Sequence, residues 1–325
     1  MTRVAGIDCG TNSIRLLVAD CDPATGELVE LDRRMTVVRL GQGVDRTGRL
    51  APEALARTFA ACRAYEEIIA RHGVPPERVS FVATSASRDA ENRDEFVRGV
   101  VDILGVEPIV ISGDQEAEFS FTGATLELTG RSDLERPFLV VDIGGGSTEF
   151  VVGGEHVEAA RSVDVGCVRM TERHLMVDGV LTDPPTEAQV KAIRADIEAA
   201  LDMAADSVPL GAARTLVGLA GSVTTVAAIA LGLTEYDSAA IHHSRIPYEK
   251  VREISARMLT LTHAERAAIP VMHPGRVDVI GAGALVLLAI MERVGASEVV
   301  VSEHDILDGI AIRTAVEFEA AEQRS

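Results

Sequence analysis

The residues Val140-Val141-Asp142-Ile143-Gly144-Gly145-Gly146-Ser147-Thr148-Glu149-Phe150-Val151-Val152 decide how this chain is read. Two apolar arms, of the kind buried strands present, flank an aspartate, three consecutive glycines and a hydroxyl. Glycines inside such a pattern force a tight turn, at which backbone N–H groups crowd around an anion. Asp142, ending the first strand beside that turn, is placed to hold a hydrated magnesium ion. Taken alone, the glycines describe an ordinary flexible hairpin turn.

The motif is not alone. Near the N-terminus stands Ile7-Asp8-Cys9-Gly10-Thr11-Asn12-Ser13-Ile14-Arg15-Leu16-Leu17-Val18-Ala19. A shift of 134 positions lays Asp8 on Asp142, Gly10 on Gly144 and Ser13 on Ser147, and continues without a gap into the second strand. Two copies of strand, Asp-x-Gly-x-x-Ser turn and strand predict a duplicated domain, with a phosphate chain lying between the two turns.

Between the copies, Pro52 opens a helix whose apolar positions Leu55, Phe59, Cys62, Ile68 and Ile69 recur at helical spacing. A strand over 80–85, a helix over 92–104, a strand over 108–111 and a helix from about Gln115, capped at Ser112, follow. Paired strands and then alternating helices and strands make an α/β unit. The polar loop 129–133 sets the boundary: domain I over 1–128, domain II over 129–325. The final helix, from about Ile306, either stays with domain II or packs back on domain I. Beyond the second hairpin, the strand Leu216–Ala220 ends in Gly221-Ser222 and an alanine-rich helix, repeating the phosphate-turn logic. Plain strand-to-helix packing explains that last turn equally well.

The chain has 325 residues, enough for two cores, and a globular composition with 47% hydrophobic and 25% charged residues. Acidic residues number 50 against 31 basic, a formal net charge of −19, which disfavours nucleic-acid partners. The four scattered cysteines suggest neither a disulfide framework nor a zinc site. The start does not read as a signal peptide, and the apolar stretch 279–291 is too short to span a bilayer. A cytoplasmic protein without a membrane partner is the expectation.

Several side chains are candidates for chemistry. Glu116, in the first turn of a helix, is either a dipole-favouring residue worth well under ~1 kcal/mol or a general base for an attacking water. Glu149 shares the face of Ser147 on its strand, amid Phe150-Val151-Val152, where an unpaired carboxylate is costly. Arg88 follows a strand at the edge where ligands of open α/β sheets gather, and its planar fork suits phosphate oxygens. His242-His243 and His304-Asp305 lack ligand spacing and a glycine-turn neighbour, and are read as structural or surface residues.

Together these motifs resemble the exopolyphosphatase/guanosine pentaphosphate phosphohydrolase family. The matching stretches are 6–13, 83–90, Ile111-Ser112-Gly113-Asp114-Gln115-Glu116-Ala117, 142–149, Gly166-Cys167-Val168-Arg169-Met170-Thr171-Glu172, Gly221-Ser222 and the Gly281-Ala282-Gly283 helix, in order along the whole chain. The resemblance implies an α/β fold of two actin-like domains (sugar kinase/heat-shock/actin type, ribonuclease H-like) clasping a phosphate chain in an interdomain cleft. It implies Glu116 and Glu149 as catalytic residues, and Asp142, Glu149 and Asp8 as ligands of Mg²⁺ (or Mn²⁺). Phosphate oxygens fall to Gly10, Thr11, Asn12, Ser13, Arg88, Gly144, Gly145, Gly146, Ser147, Thr148, Gly221 and Ser222.

The implied activity is release of terminal orthophosphate from inorganic polyphosphate. Phosphohydrolysis of the guanosine nucleotide pppGpp is the alternative within the family. A non-catalytic nucleotide-binding protein of the same fold is the alternative outside enzymes. A homodimer is the protein partner the family suggests, though no stretch of sequence marks it. Three departures stand out. Gln115 replaces a frequent second glutamate, which removes a negative charge beside the water. Leu307 stands where the family usually has arginine, and the chain stops where longer members carry a helical region. Strong acidity and two lysines predict a preference for short phosphate chains.

Overall fold

The computed structural model describes all residues except 127, 129, 130, 178 and 323–325. The chain forms two compact units, one of residues 1–126 with 305–325, the other of residues 127–304. The loop 129–133, where the sequence suggests a boundary, falls partly outside the described residues.

The first unit is built on strands β1 (Thr2–Cys9), β2 (Ser13–Cys21), β3 (Leu28–Val37), β4 (Val79–Ala83) and β5 (Ile109–Val110), in the order β3-β2-β1-β4-β5. The first three run antiparallel, while β4 and β5 continue parallel to β1. Helices cover both faces, which is why β1 and β2 are apolar almost without alternation. On one face Ala5, Ile7, Cys9 and Leu16 pack against Leu55, Tyr65, Ile68 and Phe96 of helices Pro52–Arg71 and Arg93–Leu104. On the other, Val4, Leu17 and Ala19 pack against Leu307, Ala311 and Ala315 of the last helix, Ile306–Glu322. Gly6 admits that helix: a Cβ there would meet the Ile310 Cγ2 at 3.1 Å.

The second unit carries β6 (Phe138–Ile143), β7 (Thr148–Gly153) and β8 (Val157–Val163), then a small hairpin of β9 (Met176–Val177) and β10 (Val180–Leu181), then β11 (Thr215–Leu219), β12 (Arg245–Pro247) and β13 (Glu298–Val301). Its main sheet runs β12-β13-β11-β6-β7-β8. The antiparallel triplet β6-β7-β8 with parallel β11 and β13 repeats the order of the first sheet, and β12 is an added antiparallel edge. This duplicated order is that of the actin-like, ribonuclease H-like fold. Its core includes helix Ile280–Val294, buried without a break from Ile280 to Met291. Among the described residues, no helix is long and apolar enough to cross a membrane.

Candidate active site

In each unit the candidate residues collect at the carboxyl ends of the parallel strands, where open α/β sheets bind ligands. In the first, β1 ends at Cys9 and the turn 10–13 follows. Gly10 gives its N–H to the Ser13 carbonyl at 3.0 Å, closing the turn. The Asn12 carbonyl accepts from Val38 and Arg39, and the Thr11 hydroxyl sits 3.0 Å from the Ser85 hydroxyl. The N–H groups of Thr11 and Asn12 have no acceptor among the described residues.

Beyond β4, the short helix Ser85–Arg88 delivers Arg88, and beyond β5 the helix Gly113–Thr125 delivers Glu116. The two meet: Arg88 Nη1 lies 3.4 Å from Glu116 Oε2 and donates to the Ile111 carbonyl at 3.1 Å. Glu116 is 8% exposed. Arg88, expected from the sequence to face phosphate, is also the partner of the candidate base. Gln115 turns to another task. Its side-chain carbonyl accepts from Ser112 N–H at 3.0 Å, and its own N–H donates to the Ser112 hydroxyl at 3.2 Å. This is a capping box. Leu307 is fully buried against Val4 and Leu17, so its side chain belongs to the apolar core.

Asp8 lies at the first turn, and Arg15 grips its Oδ2 through Nε at 3.0 Å and Nη2 at 2.7 Å. Arg15 Nη1 reaches Asp305, the residue read from sequence as structural or surface. Asp305 in turn accepts from the Leu307 N–H at 3.0 Å, while Arg33 pairs with Asp308 at 2.5 Å. Burial raises the Asp8 carboxyl, partly offset by Arg15 and reinforced by Asp305. Burial also pushes on Asp305, but Arg15 and Arg33 hold its carboxyl below the ordinary carboxylate range.

In the second unit, Gly144 again donates to a serine carbonyl, Ser147, at 3.0 Å. The carbonyls of Gly144 and Gly145 accept from Cys167, Val168 and Arg169 at 2.9 to 3.0 Å, and that of Gly146 accepts from Arg169 Nε at 2.6 Å. With the carbonyls held this way, the N–H groups of Gly145, Gly146 and Ser147 have no acceptor among the described residues. Such a row of N–H groups is a ready anion cradle. Gly166 allows the approach, since a Cβ there would meet the Gly145 carbonyl oxygen at 2.4 Å. Thr148 is fully buried and its hydroxyl is spent on the Val165 carbonyl at 2.5 Å, so it supports the turn from behind. Asp142 and Glu149 face each other across β6 and β7, 7% and 1% exposed. Glu149 Oε1 accepts from the Ser162 hydroxyl at 2.7 Å.

The Gly221-Ser222 turn joins this cluster. It follows β11, whose last residue, Leu219, is in register with Asp142. Ala220 takes a left-handed φ of 64° as the strand turns into helix Ala220–Ala230, a conformation that costs a non-glycine residue about 1 kcal/mol or more. Gly283 lies against Ser222 and Cys167, a Cβ there meeting the Ser222 Oγ at 2.3 Å. Arg276 completes the site and was missed by sequence reasoning. Its Nη1 donates to the Gly221 carbonyl at 2.5 Å and to the Thr225 hydroxyl at 3.1 Å. Its guanidinium rests where a side chain at 221 would stand. The Cys167 thiol is raised by burial, against the opposing effects of the Ser222 hydrogen bond and Arg276.

No group of three or more His, Cys, Asp or Glu among the described residues is arranged as a complete metal site. A magnesium ion does not need one, because it is commonly held by one or two carboxylates, water and substrate phosphate. Asp142 with Glu149 offers such a pair. Asp8 differs: its Oδ1 is buried without a hydrogen-bond partner among the described residues, but Arg15 already holds its Oδ2. The Asp142–Glu149 pair therefore fits a hard divalent ion.

Residues 17–317 match the Ppx/GppA phosphatase family. The chain belongs to that family. This Ppx/GppA protein is 51% identical over 326 residues to "Exopolyphosphatase 2" of Mycobacterium tuberculosis, covering 97% of this chain and 99% of that one. A crystal structure of an exopolyphosphatase-like protein superposes with a TM-score of 0.91 at 44% identity, covering 98% and 100% of the two chains. The Ppx/GppA family member of Aquifex aeolicus superposes with a TM-score of 0.76 at 30% identity, over 97% and 98%.

Proposed function

We propose that this protein is an exopolyphosphatase, releasing terminal orthophosphate from short inorganic polyphosphate by attack of water. The observation that carries the reading is the glycine turn whose N–H groups lack an acceptor among the described residues, beside the paired carboxylates Asp142 and Glu149. Cleaving a phosphoanhydride requires mainly that the terminal phosphoryl be positioned and its oxygens neutralised. In this reading Gly145, Gly146 and Ser147 donate to those oxygens, and the N–H groups of Thr11 and Asn12 form a second donor set suited to phosphate. Gly221, Ser222 and Arg276 add the N-terminus of a helix and a guanidinium.

Glu116 takes the proton of the attacking water. Arg88 keeps that carboxylate oriented, and its remaining N–H groups are offered to phosphate. Asp142 and Glu149 would hold Mg²⁺, or Mn²⁺, whose bound charge would neutralise phosphate oxygens. The likeness to exopolyphosphatase 2 along nearly the full length of both chains supports polyphosphate as the substrate class.

The test is orthophosphate release with Mg²⁺ from tripolyphosphate, long polyphosphate and pppGpp, using the wild type and Glu116→Ala. Tripolyphosphate should be hydrolysed fastest, and the variant should lose at least about 100-fold in kcat, the low end for a general base. Preferred turnover of pppGpp would replace the substrate assignment. Undiminished activity in Glu116→Ala would remove the base.

A further inference from the structure

The two glycine corners are copies in register, yet they differ in sign at one position. The shift of 134 that lays Asp8 on Asp142 lays Arg15 on Glu149. The sheets keep that correspondence: Asp8 pairs with Arg15 across β1 and β2, as Asp142 pairs with Glu149 across β6 and β7. Each aspartate thus has a charged cross-strand neighbour, an arginine in one copy and a carboxylate in the other. We infer that Arg15 occupies at the first corner the place a divalent cation takes at the second, so that the chain takes up one such ion and Asp8 is not its ligand. The inference rests on the assignment of the ion to Asp142 and Glu149.

Arg15 is fixed firmly enough for that part. Two of its nitrogens converge on one Asp8 oxygen, at 2.7 and 3.0 Å, and the third donor engages Asp305. Asp305 is itself held by the Leu307 N–H, and its own N–H donates to Asp308, the partner of Arg33. A guanidinium tied to two buried carboxylates is a resident positive charge, with no ion to gain or lose. It repels a dication brought to the same aspartate, since like charges a few ångströms apart in a buried setting interact strongly. At the second corner the equivalent position adds a negative charge, and two carboxylates on one strand pair attract the ion that the first corner excludes. Arg15 and Asp305 are therefore positioning residues: they neutralise and orient Asp8 without the metal.

Mn²⁺ titration of the full-length protein without substrate, with bound ions counted by electron paramagnetic resonance, separates the two levels of the argument. The wild type should bind one ion per chain. Asp142→Asn should lose it by tenfold or more in affinity, and Asp8→Asn should stay within about threefold of wild type. Arg15→Gln, which removes the charge but adds no carboxylate, should gain a weaker second ion, with circular dichroism confirming that it folds. Loss of the ion in Asp8→Asn to the same degree as in Asp142→Asn, or two ions in the wild type, would overturn the inference about Arg15. Unchanged binding in Asp142→Asn would instead overturn the metal assignment beneath it.

Discussion

Gly221 leaves room for nothing larger than hydrogen, because an added Cβ would stand 1.9 Å from the Arg276 Cζ. Gly221→Ala should therefore push the guanidinium off the turn while leaving the fold intact. The expected result is a KM for tripolyphosphate raised about tenfold, the equivalent of roughly 1.4 kcal/mol, with a smaller change in kcat. Steady-state kinetics beside a thermal melt checks this, and an unchanged KM would remove Arg276 from the phosphate site. Neither the contact nor the residue was legible in sequence. Fifty-five positions separate the two, and an arginine after Pro274-Gly275 carries no local signature. Glu116 was legible because a carboxylate in the first turn after a strand is a recognisable position. Its pairing with Arg88 was not, since it depends on how two short connections fold against each other. The same holds for Asp305, whose link to Arg15 spans 290 residues.

At the scale of elements, Glu116 is only as well placed as its helix, and that helix is fixed by two glycines. A Cβ at Gly123 would meet the Asp305 carbonyl oxygen at 1.8 Å, and one at Gly309 would meet that of Phe119 at 2.3 Å. Helix Gly113–Thr125 and the last helix thus touch backbone to backbone. Gly309→Ala should cost about 1–3 kcal/mol of stability, as overpacking does. It should also lower kcat by shifting Glu116. A denaturant midpoint and initial rates measured on one preparation would show whether the two effects travel together.

The same unit makes a prediction for alkaline pH. Burial pushes the thiols of Cys21 and Cys62 and the phenol of Tyr65 up to about 12. In the unfolded chain they ionise near 8.5 and 10. These groups stay neutral in the fold while the unfolded chain loses protons, so stability is complete below about pH 8.5 and falls as pH rises toward 12. The slope should approach 1.4 kcal/mol per pH unit for each group ionised only when unfolded. Urea midpoints from pH 7 to 11 should decline, and Cys62→Ala should flatten the early part. Most of these elements were readable, because the apolar runs of β1, β2, β6 and β7 and the helix over Pro52–Arg71 carry clear periods. The third strand of the second unit, β8, was not. Its sequence Val157–Val163 is half exposed and alternates weakly, and two-residue strands such as β9 and β10 are too short to show a period.

For the whole molecule, the excess of negative charge sets the terms on which a polyanion is met. A formal net charge of −19 repels an approaching phosphate chain, and each further phosphate outside the site adds to that repulsion. Tripolyphosphate should be turned over with a higher kcat/KM than a polymer of several hundred units, and the gap should narrow as salt rises from 0.05 to 0.5 M and screens the surface. Faster attack on the polymer at low salt would mean a local basic track outweighs the overall charge. The duplication itself was visible in the primary structure, since two copies of a short motif align without a gap. The reversal of charge between them at Arg15 and Glu149 acquires meaning only when β1–β2 and β6–β7 are seen to share a register. Activation of water by Glu116 is the step on which hydrolysis depends. The most direct measurement compares Glu116→Gln with the wild type in tripolyphosphate binding and in orthophosphate release with Mg²⁺. Binding kept within a few-fold, with release lowered by about 100-fold or more, is the predicted result. Release at the wild-type rate would contradict it.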